Sequence, residues 1–314
     1  TLGCHKSVIY GLIHDITQCA ADSRMLRPQI LFLISPDSQG GPAGNDNGET
    51  LPKAFRDAGW RVSEDRHNSI HRRPSGLASN GRALDSYDLI WPVGFGPRQG
   101  FFDWLQLMSE LPERKVINAP AALALKHGKA AWGEYSARHY IAADAQTLID
   151  AMRAEPGQWV LKPLAGSFGE GVKHLQSNET ETVTTEMRKR PGDYFMLQRF
   201  LPAIARGETR TLVVAGRTIG SYLRVPTDQL HANLAQQGEP RITVLGHAES
   251  TLIERVAADL LTQHIGFAAI DTVGDTLMEV NIANPGGLGT LNRLYDQDFG
   301  PALVRATEAF LSEP

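Results

Sequence analysis

The feature that most constrains this chain is a short hairpin with polar ends between residues 270 and 281. Two apolar strands are joined by a Val-Gly-Asp-Thr turn, which is typical of a tight antiparallel hairpin. Folding about that turn brings Asp271 beside Glu279, and Asn281 shares a strand face with Glu279 because side chains alternate along a strand. Two carboxylates and an amide oxygen on one face suit Mg²⁺. Acidic strand ends are usually just solvated, so the hairpin alone only suggests a metal site.

A glycine-rich loop follows a strand upstream of the hairpin and has the composition of a phosphate-binding loop. An apolar run ends in Lys162, and Gly166, Gly169 and Gly171 follow it. Glycines allow backbone N–H groups to approach a phosphate closely, and a lysine at the strand end adds a positive charge. The spacing matches neither a Walker loop nor a dinucleotide-binding fingerprint. Many glycine-rich loops are ordinary turns, so the phosphate interpretation needs support from other segments.

Further segments give that support and make the chain similar to a known family. Residues 196–204 read MLQRFLPAI, and residues 207–216 read GETRTLVVAG, which is similar to a Gly-Asp-x-Arg strand and the turn after it. Residues 224–226 read RVP, and residues 233–238 read NLAQQG. With the hairpin, these segments resemble the ATP-grasp superfamily and, within it, the prokaryotic glutathione synthetase group. The resemblance runs from about Asn118 to the C-terminus and is much weaker before it.

The resemblance implies a nucleotide site built from several segments. Lys129 and Lys162 would contact the nucleotide phosphates, and the loop from Gly166 to Gly171 would close over them. Arg210 would contact the transferred phosphate and the acyl group. The full set of implied nucleotide contacts is Lys129, Lys162, Gly166, Ser167, Gly169, Gly171, Gln198, Phe200 and Arg210.

The same resemblance implies a metal site and a substrate site in the last third of the chain. Asp271, Glu279 and Asn281 would hold two Mg²⁺ ions, for which Mn²⁺ is expected to substitute. Lys162 and Arg210 would be the catalytic side chains. The implied substrate-binding residues are Arg224, His231, Asn233, Asn284, Gly286 and Gly287.

The activity implied by the resemblance is ATP-dependent ligation of a carboxylate to an amine through an acyl phosphate. The phosphoryl step mainly requires positioning and neutralisation of spreading negative charge. γ-Glutamylcysteine and glycine are the expected small-molecule substrates, and the family implies a homo-oligomer. Two alternatives stay open. One is an ATP-grasp ligase that joins a different peptide or amino acid to an amine, and the other is a non-catalytic nucleotide-binding relative.

The chain departs from the family pattern mainly where the substrates are expected to bind. His231 stands where the family has an arginine, and Asn284 replaces a serine. The family's N-terminal Arg-Lys-Asp-Pro-Pro segment has no clear counterpart, and residues 91–100 read WPVGFGPRQG in its place. Phe168 and Glu170 add bulk at the tip of the glycine-rich loop. The catalytic residues therefore match the family better than the residues that would select the acid.

Composition excludes several classes of protein without indicating the activity. The 314 residues include 31 basic and 35 acidic side chains, and the net charge of −4 gives no general attraction to nucleic acid or anionic membranes. Two cysteines, Cys4 and Cys19, are too few for a disulfide scaffold, which favours a cytoplasmic location. No apolar run approaches ~20 residues, so no membrane-spanning helix is expected.

The order of predicted elements gives an α/β fold of the α+β ATP-grasp type, in which a small parallel-sheet N-terminal domain precedes two ATP-grasp subdomains. Residues 1–27 would be a helical extension and 28–120 the substrate domain. Residues 121–192 would form the smaller subdomain with the glycine-rich lid, and 193–314 the larger one with the metal site. The sequence also predicts a mobile polar loop over 67–84, a strand over 115–118 and a helix over 121–139.

Overall fold

The computed structural model describes residues 27–34, 45–165, 171–226 and 238–312. The helical extension predicted for residues 1–27 lies outside these ranges except for Arg27. The strands are β1 (Gln29–Ile34), β2 (Arg61–Arg66), β3 (Ile70–Arg73), β4 (Gly76–Ser79), β5 (Arg82–Ala83), β6 (Leu89–Val93), β7 (His139–Ala142), β8 (Gln158–Pro163), β9 (Lys173–Gln176), β10 (Phe195–Arg199), β11 (Glu208–Val214), β12 (Arg217–Pro226), β13 (Gly238–Ile242), β14 (Phe267–Val273) and β15 (Thr276–Asn281). The α-helices are α1 (Asn47–Asp57), α2 (Phe101–Met108), α3 (Pro120–Leu125), α4 (Ala145–Ala154), α5 (Thr180–Arg188), α6 (His247–Thr262), α7 (Leu288–Tyr295) and α8 (Gly300–Ser312).

No helix within the described ranges has both the length and the apolar character needed to cross a membrane.

The N-terminal sheet is parallel, with strand order β2-β1-β6. The uninterrupted apolar sequence of β1 is typical of a strand covered on both faces, and β1 is buried from Ile30 onward. Phe32 on β1 packs against Phe55 of α1 and Trp91 of β6, at ring-centroid distances of 5.6 and 5.9 Å. The small parallel N-terminal sheet predicted from the sequence is therefore confirmed.

Three local predictions in the first half of the chain are wrong. Residues 67–84, expected to be a loop, contain the antiparallel sheet β3-β4-β5. The strand expected over 115–118 is reduced to one parallel bridge between Ile90 and Val116. The helix expected over 121–139 ends at Leu125, and a 3₁₀ segment with a kink at Trp132 carries Lys129 instead. Short antiparallel strands covered on one face need few apolar residues, which explains why polar sequence concealed the β3–β5 sheet.

The second large sheet is antiparallel, with strand order β7-β10-β8-β9. One face packs against α4 and α5 around Trp159, Leu161 and Leu197. Because side chains alternate along a strand, Lys162 of β8 and Gln198 of β10 lie on the opposite face. This sheet therefore presents a lysine and a glutamine away from its own hydrophobic core.

The third large sheet is antiparallel, with strand order β13-β12-β11-β14-β15. Every residue of β14 is buried. Ala268 and Ile270 belong to a core that includes α6, whereas Phe267 and Ala269 belong to a core that includes α8, and both cores include residues of the N-terminal sheet. Because side chains alternate along a strand, Asp271 lies on the same face of β14 as Phe267 and Ala269.

Asn118 ties the segment after the N-terminal sheet to the third sheet. Its Nδ2 donates to the backbone carbonyls of Phe267 and Ile282 at 2.7 and 2.6 Å, and its Oδ1 accepts from the Phe267 N–H at 2.8 Å. The side chain is 3% exposed. One buried amide thus joins the start of β14 to the residue that follows β15.

Replacing Asn118 with leucine is expected to destabilise the protein by about 3 kcal/mol, because three buried backbone hydrogen bonds lose their partner at similar side-chain volume. Chemical denaturation monitored by tryptophan fluorescence measures this difference. The matched control is Asn68→Ala on an exposed 3₁₀ turn, which should change the free energy of unfolding by less than about 0.5 kcal/mol. Equal effects of the two substitutions would contradict the joining role of Asn118.

Candidate active site

The hairpin β14–β15 brings the predicted metal ligands onto one face. Gly274, at φ +60°, provides the turn conformation that lets the two strands pair. The strand register sets Asp271 directly opposite Glu279, and Asn281 lies two residues further along β15. The Asp271 side chain is 1% exposed, whereas that of Glu279 is 40% exposed. The hairpin therefore offers one buried carboxylate and one accessible carboxylate side by side.

Asp271 belongs to a set of four charged residues that we call the charge quartet: Glu208, Arg210, Arg224 and Asp271. Arg210 on β11 is the register partner of Asp271 and donates to both of its carboxylate oxygens, Nε to Oδ1 at 2.8 Å and Nη2 to Oδ2 at 2.6 Å. Arg224 Nη2 on β12 lies 2.8 Å from the Asp271 Oδ2 atom and donates to Glu208 Oε2 at 2.6 Å. Two arginines and two carboxylates thus form one connected group within the sheet.

The electrostatics of the quartet follow from burial and pairing. Burial by itself raises the pKa of Asp271, but the charges of Arg210 and Arg224 outweigh burial and hold that pKa below its ordinary value. Burial raises the pKa of Glu208 to about 7, and the attraction of Arg224 only partly opposes it. Asp271 is therefore a firmly ionised carboxylate, while Glu208 titrates near neutrality.

Lys162 and Gln198 form a second polar group on the neighbouring sheet. Lys162 Nζ donates to Gln198 Oε1 at 2.8 Å, and both side chains are buried. Burial lowers the pKa of Lys162 to about 8, although Glu279 attracts its charge and raises the pKa in part. Within the described residues, Gln198 Nε2 is a buried donor with no hydrogen-bond partner. Such a donor is costly to leave unsatisfied, which is consistent with a site for a ligand acceptor atom.

Lys129 links the two polar groups. Its Nζ lies 3.8 Å from Glu279 Oε1 on the hairpin and donates to the Leu164 carbonyl, just after β8, at 3.4 Å. The Lys129 side chain is only 15% exposed. The two lysines implied as phosphate contacts and the acidic hairpin thus converge between the second and third sheets.

The other residues implied for nucleotide binding are divided between described and undescribed parts. The Phe200 ring stacks on His174 at a centroid distance of 4.1 Å, and its N–H donates to the Gln158 carbonyl at 3.0 Å. Gly171 has φ +76° and packs beside Pro163. Gly166, Ser167, Gly169, His231 and Asn233 lie outside the described residues.

The segment Asn284–Gly287 follows the hairpin and joins it to both the quartet and the N-terminal domain. The Gly286 carbonyl accepts from Arg210 Nη1 at 3.4 Å. Gly287 has φ +143°, a conformation that favours glycine, and an added Cβ there would lie 3.2 Å from the Tyr222 hydroxyl. Asn284 is bonded to Asn45 and Asn47 at the start of α1. The backbone of this segment is therefore held on two sides.

Sequence reasoning missed three residues that the structure brings to this site. Glu208 lies two residues from Arg210 on one strand, and that spacing indicates a shared face. The local sequence around Asn45 and Asn47 does not predict their contacts, since they lie more than 230 residues from their partners in the chain. Contacts of such separation depend on how the domains pack and leave no local pattern in the sequence.

The donor set of the hairpin fits a divalent cation such as Mg²⁺. Two carboxylates and one amide are hard oxygen donors. In the parts of the chain that the structure describes, no group of three or more His, Cys, Asp or Glu side chains is placed to hold a metal ion. Asp271 Oδ2 meets both Arg210 and Arg224, whereas Oδ1 accepts only from Arg210 and keeps a second lone pair for a metal ion.

Comparison with solved structures identifies the class of fold. D-cycloserine synthetase DcsG aligns over 90% of this chain and 99% of its own, with a TM-score of 0.65 and 15% identity. The ATP-grasp ligase PsnB aligns over 90% of this chain and 98% of its own, with a TM-score of 0.66 and 15% identity. The protein therefore has the ATP-grasp fold predicted from its sequence.

Sequence comparison identifies the family. Residues 126–296 match the family described as "Prokaryotic glutathione synthetase, ATP-grasp domain". Glutathione synthetase of Parasynechococcus marenigrum is 30% identical over 232 residues, which cover 70% of this chain and 74% of that protein. The enzyme of Thermosynechococcus vestitus is 30% identical over 71% of this chain and 73% of its own. The chain belongs to the prokaryotic glutathione synthetase ATP-grasp family. It is an ATP-dependent ligase of the glutathione synthetase type, a family that implies use of ATP and a divalent metal.

The buried lysine predicts a pH dependence. If Lys162 contacts phosphate, as the sequence predicts, it must be protonated to do so. Because its pKa is about 8, kcat/KM for Mg·ATP should then fall roughly tenfold per pH unit above that value. In Lys162→Arg, whose guanidinium stays charged, kcat/KM should be lower at neutral pH but lack this alkaline decline. Initial rates from about pH 6.5 to 10 measure both profiles. A wild-type profile that stays flat well above pH 8 would contradict the assignment of Lys162 as a phosphate contact.

The same pKa shift affects stability. The pKa of Lys162 is lowered from 10.5 to about 8 in the folded protein, so the unfolded chain binds more protons between these two values. The contribution of Lys162 to stability therefore rises with pH across that window and is least favourable below it. Replacing Lys162 with methionine should remove this dependence, which denaturation at several pH values would detect.

Proposed function

We propose that the protein joins γ-glutamylcysteine to glycine with ATP as the energy source. The observation that carries this proposal is the convergence of Lys129, Lys162 and Arg210 on the acidic hairpin, with Lys129 3.8 Å from Glu279 and Arg210 bonded to Asp271. Such an arrangement suits phosphoryl transfer to a carboxylate. The choice of substrates is supported by the two relatives described above, both of which are glutathione synthetases.

The proposed reaction has two steps. A carboxylate oxygen of the dipeptide attacks the γ-phosphorus of ATP, giving an acyl phosphate and ADP. The glycine nitrogen then attacks the acyl carbon, the C–O bond to phosphate breaks, and the amine loses a proton to solvent. In the first step Lys129, Lys162 and Arg210 are proposed to neutralise the charge on the transferred group. The acyl phosphate hydrolyses readily, so the site must exclude water between the two steps.

Asp271, Glu279 and Asn281 are proposed to hold the divalent metal. When bound, Mg²⁺ would supply charge neutralisation at the phosphate oxygens. Two ions are proposed, and Mn²⁺ should substitute because carboxylate and carbonyl oxygens suit both metals. The exposure of Glu279 supports this role, since a partly accessible carboxylate beside a buried one leaves the ions an open side.

Gln198 and Phe200 are proposed to border the adenine. The unsatisfied Nε2 of Gln198 needs an acceptor, which an adenine ring nitrogen would provide. Gly166, Ser167, Gly169 and Gly171 are proposed to direct backbone N–H groups at the phosphates, as predicted from the sequence.

The substrate side of the site is proposed to include Arg224, Asn284, Gly286 and Gly287, together with His231 and Asn233, which stay predictions. The involvement of Arg224 is supported by its Nε atom, a buried donor that has no hydrogen-bond partner among the described residues. His231 would take over from the arginine that is missing from the family pattern.

One observation favours the alternative of a different acid substrate. The Gly94 N–H donates to the Ala283 carbonyl at 2.9 Å, which brings the loop after β6 to the segment that follows the hairpin. Phe95 on this loop packs against Phe101 and His127 at centroid distances of 5.1 and 4.5 Å. Burial lowers the pKa of His127 to about 4, and Lys129 adds to the effect. The surface formed by Phe95, Phe101 and His127 is therefore uncharged at neutral pH. If this surface borders the substrate, it favours an acid whose remote group is apolar.

The deciding experiment is phosphate release from Mg·ATP with γ-glutamylcysteine and glycine, compared with reactions that omit each substrate, with mass spectrometry of the product. Release that requires both substrates, with glutathione as the product, is the expected result. Tight binding of Mg·ATP without such release would reject these substrates and favour the alternative acid.

Replacing Glu279 with glutamine is expected to lower kcat by about 100-fold or more, because it removes a charged ligand aimed at the metal and the phosphates. The apparent Mg²⁺ requirement should rise in parallel. Asp275→Asn is the matched control, since Asp275 is exposed in the turn of the same hairpin and should retain near-native activity. Steady-state rates across a Mg²⁺ titration measure both effects. Near-native kcat in Glu279→Gln would show that the metal assignment is wrong.

Assembly into a homo-oligomer and a cytoplasmic location also belong to the proposal. The family resemblance supports the first, and the low cysteine content supports the second. Light scattering after size-exclusion chromatography tests the oligomeric state directly.

A further inference from the structure

We infer that Asn45 and Asn47 are positioning residues for the ligation reaction, holding the Asn284–Gly287 segment from the N-terminal domain. This inference rests on the proposed role of that segment in substrate binding. The two asparagines lie at the start of α1, and their partners follow the metal hairpin more than 230 residues away. We call Asn45 and Asn47 the asparagine clamp.

The clamp makes three hydrogen bonds to two adjacent residues. Asn45 Nδ2 donates to the Asn284 carbonyl at 2.8 Å. Asn47 Nδ2 donates to Asn284 Oδ1 at 2.8 Å and to the Pro285 carbonyl at 3.1 Å. Asn47 is fully buried. These bonds fix both the backbone and the side chain of Asn284.

The clamp acts on the segment mainly as a donor. Asn47 Oδ1 is buried and, among the residues that the structure describes, has no hydrogen-bond partner. Leaving a buried acceptor unsatisfied is unfavourable. The Asn47 side chain therefore adds less stability than a fully hydrogen-bonded amide would. Its two donated hydrogen bonds to the Asn284–Gly287 segment are the contribution that it makes to the site.

The held segment leads directly to the catalytic charges. It begins three residues after Asn281, and the Gly286 carbonyl accepts from Arg210 Nη1 at 3.4 Å. Arg210 in turn donates to both oxygens of Asp271. Close packing leaves the segment little freedom, since an added Cβ on Gly286 would lie 3.1 Å from Asn45 Cγ. A shift of the clamp would therefore displace the segment and the arginine that it contacts.

The first test is kinetic. Asn47→Leu removes both donated bonds at similar volume. Asn45→Ala removes the bond to the Asn284 carbonyl and the one that Asn45 Oδ1 accepts from the Asn47 N–H, at a half-buried position where folding should survive. Both should lower kcat/KM for the acid and the amine by about 10- to 100-fold, the effect expected of misplaced reacting groups. KM for Mg·ATP should change less than about threefold, because Lys129 and Lys162 lie on other segments and displacement of Arg210, which acts on the transferred group, should lower kcat.

The matched control removes a hydrogen bond between the N-terminal domain and the C-terminal helix, away from the held segment. Trp60 Nε1 donates to Glu308 Oε1 at 3.0 Å, so Trp60→Phe loses a comparable bond. The control should leave the kinetic constants for all three substrates unchanged. The positioning role would be overturned if the control lost as much kcat/KM as the clamp variants did. It would also be overturned if KM for Mg·ATP rose in parallel with the loss of kcat/KM for the acid and the amine.

The second test is independent of substrate identity. Hydrogen–deuterium exchange of the full chain should be faster in peptides covering residues 282–289 of the clamp variants, and unchanged there in Trp60→Phe. Unchanged exchange in both clamp variants would overturn the inference even if γ-glutamylcysteine and glycine prove to be substrates. Faster exchange would uphold the physical clamp even if those substrates fail, and the kinetic comparison would then use whichever acid and amine support phosphate release.

Discussion

The buried carboxylate of Asp271 is the interaction on which the rest of the site depends. It accepts hydrogen bonds from Arg210 on the neighbouring strand and is paired with Arg224 one strand further away. An ion is tolerated away from water only when opposite charge reaches it with good geometry. The position of Asp271 therefore requires the observed register of β11, β12 and β14, because a slip of one residue would turn the arginines to the opposite face of the sheet.

Around this carboxylate, the polar groups of the site come from separate hydrophobic units. Lys162 and Gln198 are buried on one face of a sheet whose other face packs on α4 and α5, and Lys129 is carried by the 3₁₀ segment next to the hairpin. Lys162 is held by the core of its own sheet, whereas the segment of Lys129 shares a core with the hairpin through Trp132 and Leu277. The separation between Lys162 and the hairpin can therefore change without disturbing either core. Such a division suits a site that must admit a nucleotide and then exclude water.

The sequence predicted contacts between residues that are close together in the chain, and it did not predict contacts between residues that are far apart. The hairpin turn and strand alternation were sufficient to pair Asp271 with Glu279, and the family resemblance gave the fold. The β3–β5 sheet was missed because its short strands are largely polar, and the helix over 121–139 was overextended because its apolar residues continue past Leu125. The bonds of Asn47 were out of reach, since they depend on domain packing.

The charge quartet also limits how this protein can diverge. Asp271 is paired with both arginines of the quartet, so replacing it with a neutral residue would leave two positive charges close together inside the sheet, a defect typically costing several kcal/mol. Single substitutions at Asp271 are therefore strongly disfavoured. New substrate preferences can arise more readily in the segments that border the quartet, such as the loop after β6, where replacements leave no buried charge behind. The departures from the family pattern at residues 91–100 lie in such a segment, which makes that loop a natural starting point for redirecting the ligase by directed evolution.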